Sequence, residues 1–122
     1  MTSPTPVPFS EPPWLCGLPS PYYKESHKQF QKEARKFISK HLLEHALEWD
    51  RDEQLPEQVF ETFAKHGWLL PSLPAPLPIS WLKKLDIKKI GGVKVEDFDY
   101  LHASIYMDEV ICHSSTQICA YR

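Results

Sequence analysis

Proline sets the limits on what this chain can fold into. Seven of its twelve prolines fall within the first 21 residues, and four more stand at Pro71, Pro74, Pro76 and Pro78. Each fixes φ and removes a backbone donor, so neither cluster can hold a helix interior or a central strand. The first reads as an extended leader over residues 1–19, whose end is docked by Trp14, Leu15 and Leu18. The second reads as a rigid surface loop. Regular structure is left to residues 20–122, enough for one small domain with a modest core.

Within that domain the apolar spacing is helical. Tyr23, His27, Phe30, Ala34, Phe37, Ile38 and His41 recur at three- and four-residue steps. This predicts a long first helix capped by Ser20, with Pro21 at its first position, running to about Trp49 and the charged cluster DRDEQ. Lys24, Lys28, Lys32 and Arg35 or Lys36 fall mostly off the apolar face and read as solvated. LPEQVFETFAKHG predicts a second helix, opened by Pro56 and stopped by a left-handed Gly67, with Val59, Phe60, Phe63 and Ala64 inward. Ser80 to Leu85 suggests a short third. VEDFDYLHASIYMDEVICHSS suggests a fourth, with Phe98, Leu101, Ile105 and Met107 or Tyr106 facing the core. No convincing strand is seen, and the last apolar segment, around Ile118, reads as an incomplete element. The expectation is an all-α domain of about four helices.

Charge and composition exclude several classes of function. A formal net charge of −2 gives no electrostatic reason to expect nucleic acid or an anionic membrane. No apolar run approaches the ~20 residues that span a bilayer. The N-terminus carries neither the basic nor the apolar region of a secretory signal. Cys16, Cys112 and Cys119 lack C-x-x-C spacing and read as reduced thiols of an intracellular chain in an unspecified compartment.

Chemical motifs are sparse. HLLEH spells H-x-x-E-H, in which His41 and His45 could hold zinc and Glu44 serve as base. A third ligand would have to be Glu96 or Glu109, and His41 already belongs to the apolar stripe. Packed helix-face histidines explain His41 and His45 better, as they do His27 and His66. Asp50 and Asp52 are spaced like the first calcium ligands of an EF-hand but lack its glycine and closing glutamate. Lys83, Lys84, Lys88 and Lys89 read as a solvated surface, and IGG at 90–92 as a turn. Ser114 and Ser115 after His113 have no nucleophile-elbow setting, and Cys112 reads as a small buried hydrophobe. No residue is assigned a catalytic, cofactor-binding or metal-binding role.

The order of these elements resembles a known family. A helix ending in EWDRDEQLP, then PEQVFETFAKHGWL, then GGVKVEDFDYLHASIYMDEV is similar to the N-terminal helical domain of the acyl-CoA dehydrogenases, particularly their fungal branch. Phe37, Ile38, Trp49, Asp50, Pro56, Phe60, Gly67, Leu69, Gly91, Gly92 and Glu109 carry the likeness, over about residues 20 to 115. The resemblance implies an FAD flavoprotein that dehydrogenates an acyl-CoA thioester, usually as a homo-oligomer. It implies a flavin-binding middle domain and a catalytic glutamate in a C-terminal bundle, regions this chain does not include. The chain alone is therefore expected to be catalytically incomplete and to hold no FAD. Alternatives are a free-standing helical module that binds a related dehydrogenase and, remotely, a zinc hydrolase built on His41, Glu44 and His45.

Overall fold

The computed structural model describes residues 12–73 and 76–113, with side chains up to Ile111. Five α-helices build it: α1 (Glu25–Ile38), α2 (Ala46–Asp52), α3 (Glu57–Lys65), α4 (Ile79–Lys84) and α5 (Tyr100–His113). The predicted mainly helical class holds. The expected first helix is present, but it divides into α1, a π-helical turn at Ser39–Leu43 and α2. The spacing of the core residues accounts for the π turn. Phe30, Ala34, Ile38, Leu42 and Ala46 are all buried and fall at strict four-residue intervals. With 3.6 residues per turn such a stripe drifts around the helix, so keeping it inward requires a locally wider turn.

Helix starts differ from the expectation in two places: α5 begins at Tyr100 rather than in the preceding VED stretch, which forms a short turn of its own, and α1 begins later than predicted. Ser20 does not cap α1; its Oγ accepts the Tyr22 N–H at 3.3 Å in a local turn. The helix instead begins after Lys24, whose N–H donates to His27 Nδ1 at 2.9 Å. Helix stops follow one device used three times. Trp68 N–H donates to the Phe63 carbonyl and Gly67 N–H to that of Ala64, the paired bonds of a Schellman motif with Gly67 at φ 77°. Glu53 and Asp86 hold the same left-handed position after α2 and α4. A Cβ added at Gly67 would meet nothing within 4 Å. Gly67→Ala is therefore expected to lose only the backbone term, about 1–2 kcal/mol, in a chemical denaturation measurement.

A strand pair corrects the expectation of none. Lys89–Ile90 and Val93–Lys94 form an antiparallel hairpin, β1 and β2, around Gly91 and Gly92. Both glycines have positive φ, as a two-residue primed turn requires. The turn carries Gly91 onto the core: an added Cβ there would lie 2.8 Å from Phe30 and 2.9 Å from Trp68. Only glycine lets the hairpin close over those two rings.

The core gathers Phe30, Ile38, Phe63, Trp68, Leu82, Val95, Phe98 and Ile105 from every helix except α2, with Trp14 and Trp49 packed on its edge. Trp68 joins its halves, stacking on Phe37 and Tyr106 and receiving the Tyr106 hydroxyl on its carbonyl at 2.6 Å. Burial pushes the Tyr106 phenol up to about 12, so it remains a donor at any physiological pH. Inward positions were partly misassigned from spacing. Phe63 is buried, but Phe60 is 54% exposed and Ala64 is exposed; Tyr106, not Met107, faces the core. Trp14 docks the leader's end by stacking on Tyr23 at 4.3 Å, whereas Leu18 stays outside. Among the described residues no helix is long and apolar enough to cross a membrane. Ile118 and Cys119, and the side chains of Cys112 and His113 with Ser114 and Ser115, lie outside what is described.

Candidate functional site

The polar chemistry of the interior is concentrated where α1 lies along α5. The two helices run side by side in the same direction, as the pairs His27–His102 and Arg35–Glu109 require. Both N-termini, each carrying the positive end of a helix dipole, therefore meet at one place. Asp99 stands there, one residue before α5. Its Oδ1 accepts the N–H groups of Leu101 and His102 at 3.0 and 3.1 Å, closing the start of that helix.

Two buried histidines flank this carboxylate, each only 1% exposed. Their rings stack with centroids 4.1 Å apart and planes 24° from parallel. Both occupy the third position of their helices, and both accept the capping residue's own N–H on Nδ1. Lys24 N–H reaches His27 at 2.9 Å, and Asp99 N–H reaches His102 at 3.1 Å. This is the returning half of a capping box, with imidazole in the role usually taken by Glu or Gln.

That hydrogen bonding sets the His27 tautomer. A ring nitrogen that accepts from a main-chain N–H carries no proton, so neutral His27 holds its proton on Nε2. His102 Nδ1 also lies 2.9 Å from Asp99 Oδ1, a contact that a proton on Nδ1 would make a hydrogen bond. His27 Nε2–H then donates to Asp99, 3.1 Å from each carboxylate oxygen. His102 Nε2 is buried without a hydrogen-bond partner among the described residues. Partial burial pushes the Asp99 carboxyl up, but the hydrogen bonds from His27 and the His102 backbone outweigh it and hold the group below its usual range. Burial, joined by the neighbouring His27 ring, depresses His102 below the ordinary histidine value against the opposing pull of Asp99.

His27, Asp99 and His102 each offer a ligand atom within 4.8 Å of the others, a grouping that could suggest a metal. The chemistry speaks for a structural role. Ligation through either Nε2 would move that ring's proton to Nδ1 and break a helix cap. Nearly parallel stacked rings also aim their in-plane lone pairs side by side rather than at a shared point.

Two turns along the same seam, Glu109 is 4% exposed and fully engaged. Gln31 Nε2 donates to its Oε1 at 3.0 Å, and Arg35 reaches it with Nε at 3.0 Å and a terminal nitrogen at 2.9 Å. Arg35, expected in solvent, is thus a half-buried partner of α5. The forked guanidinium spans both carboxylate oxygens, and this holds the two helices in register.

The H-x-x-E-H residues are not drawn together as ligands. His41 turns onto Phe37 and His66, with ring centroids at 4.4 and 5.8 Å. His45 faces Trp49 and Glu48, and Glu44 is exposed. His41 and His45 line one shallow cleft of about 150 Å³ with Val59, Thr62 and Phe63. Glu96 is exposed in the turn that follows the hairpin, and Glu109 is held by Arg35. His66 Nδ1 donates to the Thr62 carbonyl, 2.8 Å away, at the end of α3. Asp50 and Asp52 lie on α2, and Lys83, Lys84, Lys88 and Lys89 are exposed, as expected. Sequence reasoning placed His27 inward but missed Asp99, His102, Gln31 and the Arg35–Glu109 pair. The signal available for the first two was D-x-x-H ahead of an apolar run, a capping-box spacing with His at its end.

Comparison with known proteins agrees with the order of elements. Residues 24–120 match the family model described as the acyl-CoA dehydrogenase N-terminal domain. The chain is 57% identical over 104 residues to a protein of Emericella nidulans named acyl-CoA dehydrogenase apdG. That alignment covers 85% of this chain and 24% of the relative, so the chain spans about a quarter of the relative's length. No solved structure matches it.

Proposed function

Because the chain belongs to the acyl-CoA dehydrogenase family through its N-terminal domain, we propose that it serves as the helical domain of an enzyme that removes hydrogen from the α and β carbons of an acyl-CoA thioester. The carrying observation is the match over residues 24–120 together with the 57% identity to the Emericella nidulans protein. In the enzyme the two-electron oxidation would be supplied by FAD.

The described residues do not fit that flavin. Three clefts among them, of about 150, 380 and 500 Å³, are open grooves, two of them edged by lysines. None of the three offers a flat apolar slot for an isoalloxazine, and the buried polar groups of the α1–α5 seam, His102 Nε2 apart, are committed to one another. The role this supports is a scaffold that presents a wall to the reacting regions. Glu109 in particular is no candidate base, since Arg35 and Gln31 hold it.

An exchange experiment tests the reading. The relative carrying residues 24–120 of this chain in place of its own matching segment is expected to bind FAD and reduce an electron-accepting dye with octanoyl-CoA or a branched thioester. The isolated chain, given FAD, is expected to do neither. Turnover by the isolated chain would overturn the scaffold role, and a folded but flavin-free exchange protein would overturn the assignment as this enzyme's helical domain.

A second reading, a helical module that docks on a related dehydrogenase, is favoured by its surface. Leu47, Phe60, Trp81, Leu85 and Tyr100 are each more than half exposed. Sedimentation of the chain with the relative lacking its own helical domain separates the two readings: association at a defined stoichiometry supports docking, and independent sedimentation removes it.

A further inference from the structure

We propose that Asp99 and His102, with His27 stacked on the His102 ring and hydrogen-bonded to Asp99, form a proton-operated catch that closes the shared N-terminal end of α1 and α5 when neutral and opens it in mild acid. The geometry gives His102 Nδ1 two competing partners. It accepts the Asp99 N–H at 3.1 Å, while Asp99 Oδ1 lies only 2.9 Å away. With the neutral ring's proton on Nε2, the first contact is a hydrogen bond, and the second brings a lone pair against a carboxylate oxygen. A proton on Nδ1 reverses this. The imidazolium donates to Oδ1, and the Asp99 N–H, which can only donate, loses its acceptor at the start of α5.

The surroundings decide which state prevails near neutrality. The charged and titratable groups facing the ring are Asp99 on its own helix, His27 from α1 and Asp97 from the short 3₁₀ turn (Val95–Asp97) before α5. Tyr23, ahead of α1, meets the far partner His27 edge-on at 5.8 Å. Two carboxylates favour the imidazolium. Burial, the second imidazole and two convergent positive helix ends oppose it, and together they prevail.

The direction of the pH effect follows from linkage. The folded state resists protonation of His102 below the ordinary histidine value, while the unfolded chain takes up that proton as pH falls below about 6.5. Folded-state stability from this group is thus complete above that pH and is lost as pH falls toward the folded value. The loss is felt first at the catch, then along the ladder His102–His27–Tyr23–Trp14 that clasps the leader.

Glutamine supplies the test, because at this helical position its amide oxygen accepts the same N–H and cannot be protonated. Unfolding of the 122-residue chain would be measured from pH 8 to 5, above the range in which ordinary carboxylates titrate. The parent's unfolding constant is expected to rise with acid, approaching tenfold per pH unit for one proton. In His102→Gln that rise should be smaller by about one proton's worth; the part that remains belongs to other groups such as His41, which burial also holds below the ordinary histidine value. A slope unchanged from the parent in this variant overturns the catch. Nitrogen-15 NMR of the parent gives an independent reading that needs no variant. At pH 8 His102 Nδ1 should be the unprotonated nitrogen, and acid should lower exchange protection of the Asp99 amide together with its protonation. A proton on Nδ1 at pH 8 would equally overturn it.

Discussion

Glu109→Ala is expected to lower folding stability by about 3 kcal/mol, read as a shift of the urea midpoint without change of slope. The loss does not come from the ion pair's attraction alone. Removing the carboxylate leaves Arg35, whose side chain is 22% exposed, and the buried Gln31 amide facing a space that nothing fills. Their desolvation then goes uncompensated, and partial access to water keeps the loss at the low end of the range for broken buried pairs. A double replacement, Arg35→Met with Glu109→Leu, should recover most of the stability, because both charges leave together. If the double variant is as unstable as the sum of the single ones, the two residues act independently and the seam is held by packing.

Phe30→Ala should cost about 3–5 kcal/mol, enough to leave a domain of this size close to unfolding at room temperature. Phe30 is wholly buried and touches Trp68, Phe98 and His102, so the cavity opens where three segments meet. Its coupling to Gly91 makes the experiment specific. Alone, Gly91→Ala suffers both the left-handed backbone and the 2.8 Å approach to Phe30. It should therefore cost more than Gly67→Ala, which suffers only the first. In the Phe30→Ala background that excess should shrink, since one of the two obstructing rings is gone. Additive losses would mean that Trp68 alone sets the limit on Gly91.

Elements with local punctuation were legible in the sequence. Pro56 and Gly67 bracket α3 because one removes a donor that the helix start does not need and the other supplies the left-handed stop. The glycine pair at 91–92 was readable as a turn for the same reason. Its strands were not, since two-residue strands are too short to show alternation. Start signals misled where two uses of one residue compete: Ser20 bonds Tyr22 rather than capping a helix. Partners far apart in sequence were beyond reach. Nothing within α1 distinguishes Arg35 from the solvated Lys32 and Lys36, because its carboxylate lies 74 residues away. His27 could be read as a packed imidazole, but its acid lies 72 residues away and its stacking partner on another helix. The exposure of Phe60 has the same origin, for a helix of nine residues offers an apolar face wider than the contact it makes.

The π turn between α1 and α2 makes the effect of a length change here depend on its sign. In a regular helix each residue advances the azimuth by about 100°, and the wide turn takes up roughly one residue more than an α turn. Removing one residue from 39–43 would let the turn tighten to α geometry with the later residues nearly in phase. Adding one would swing everything after it: Ala46 would leave the core side, and Trp49 would be carried off the edge it packs against. The segment should therefore tolerate a shortening by one residue far better than a lengthening.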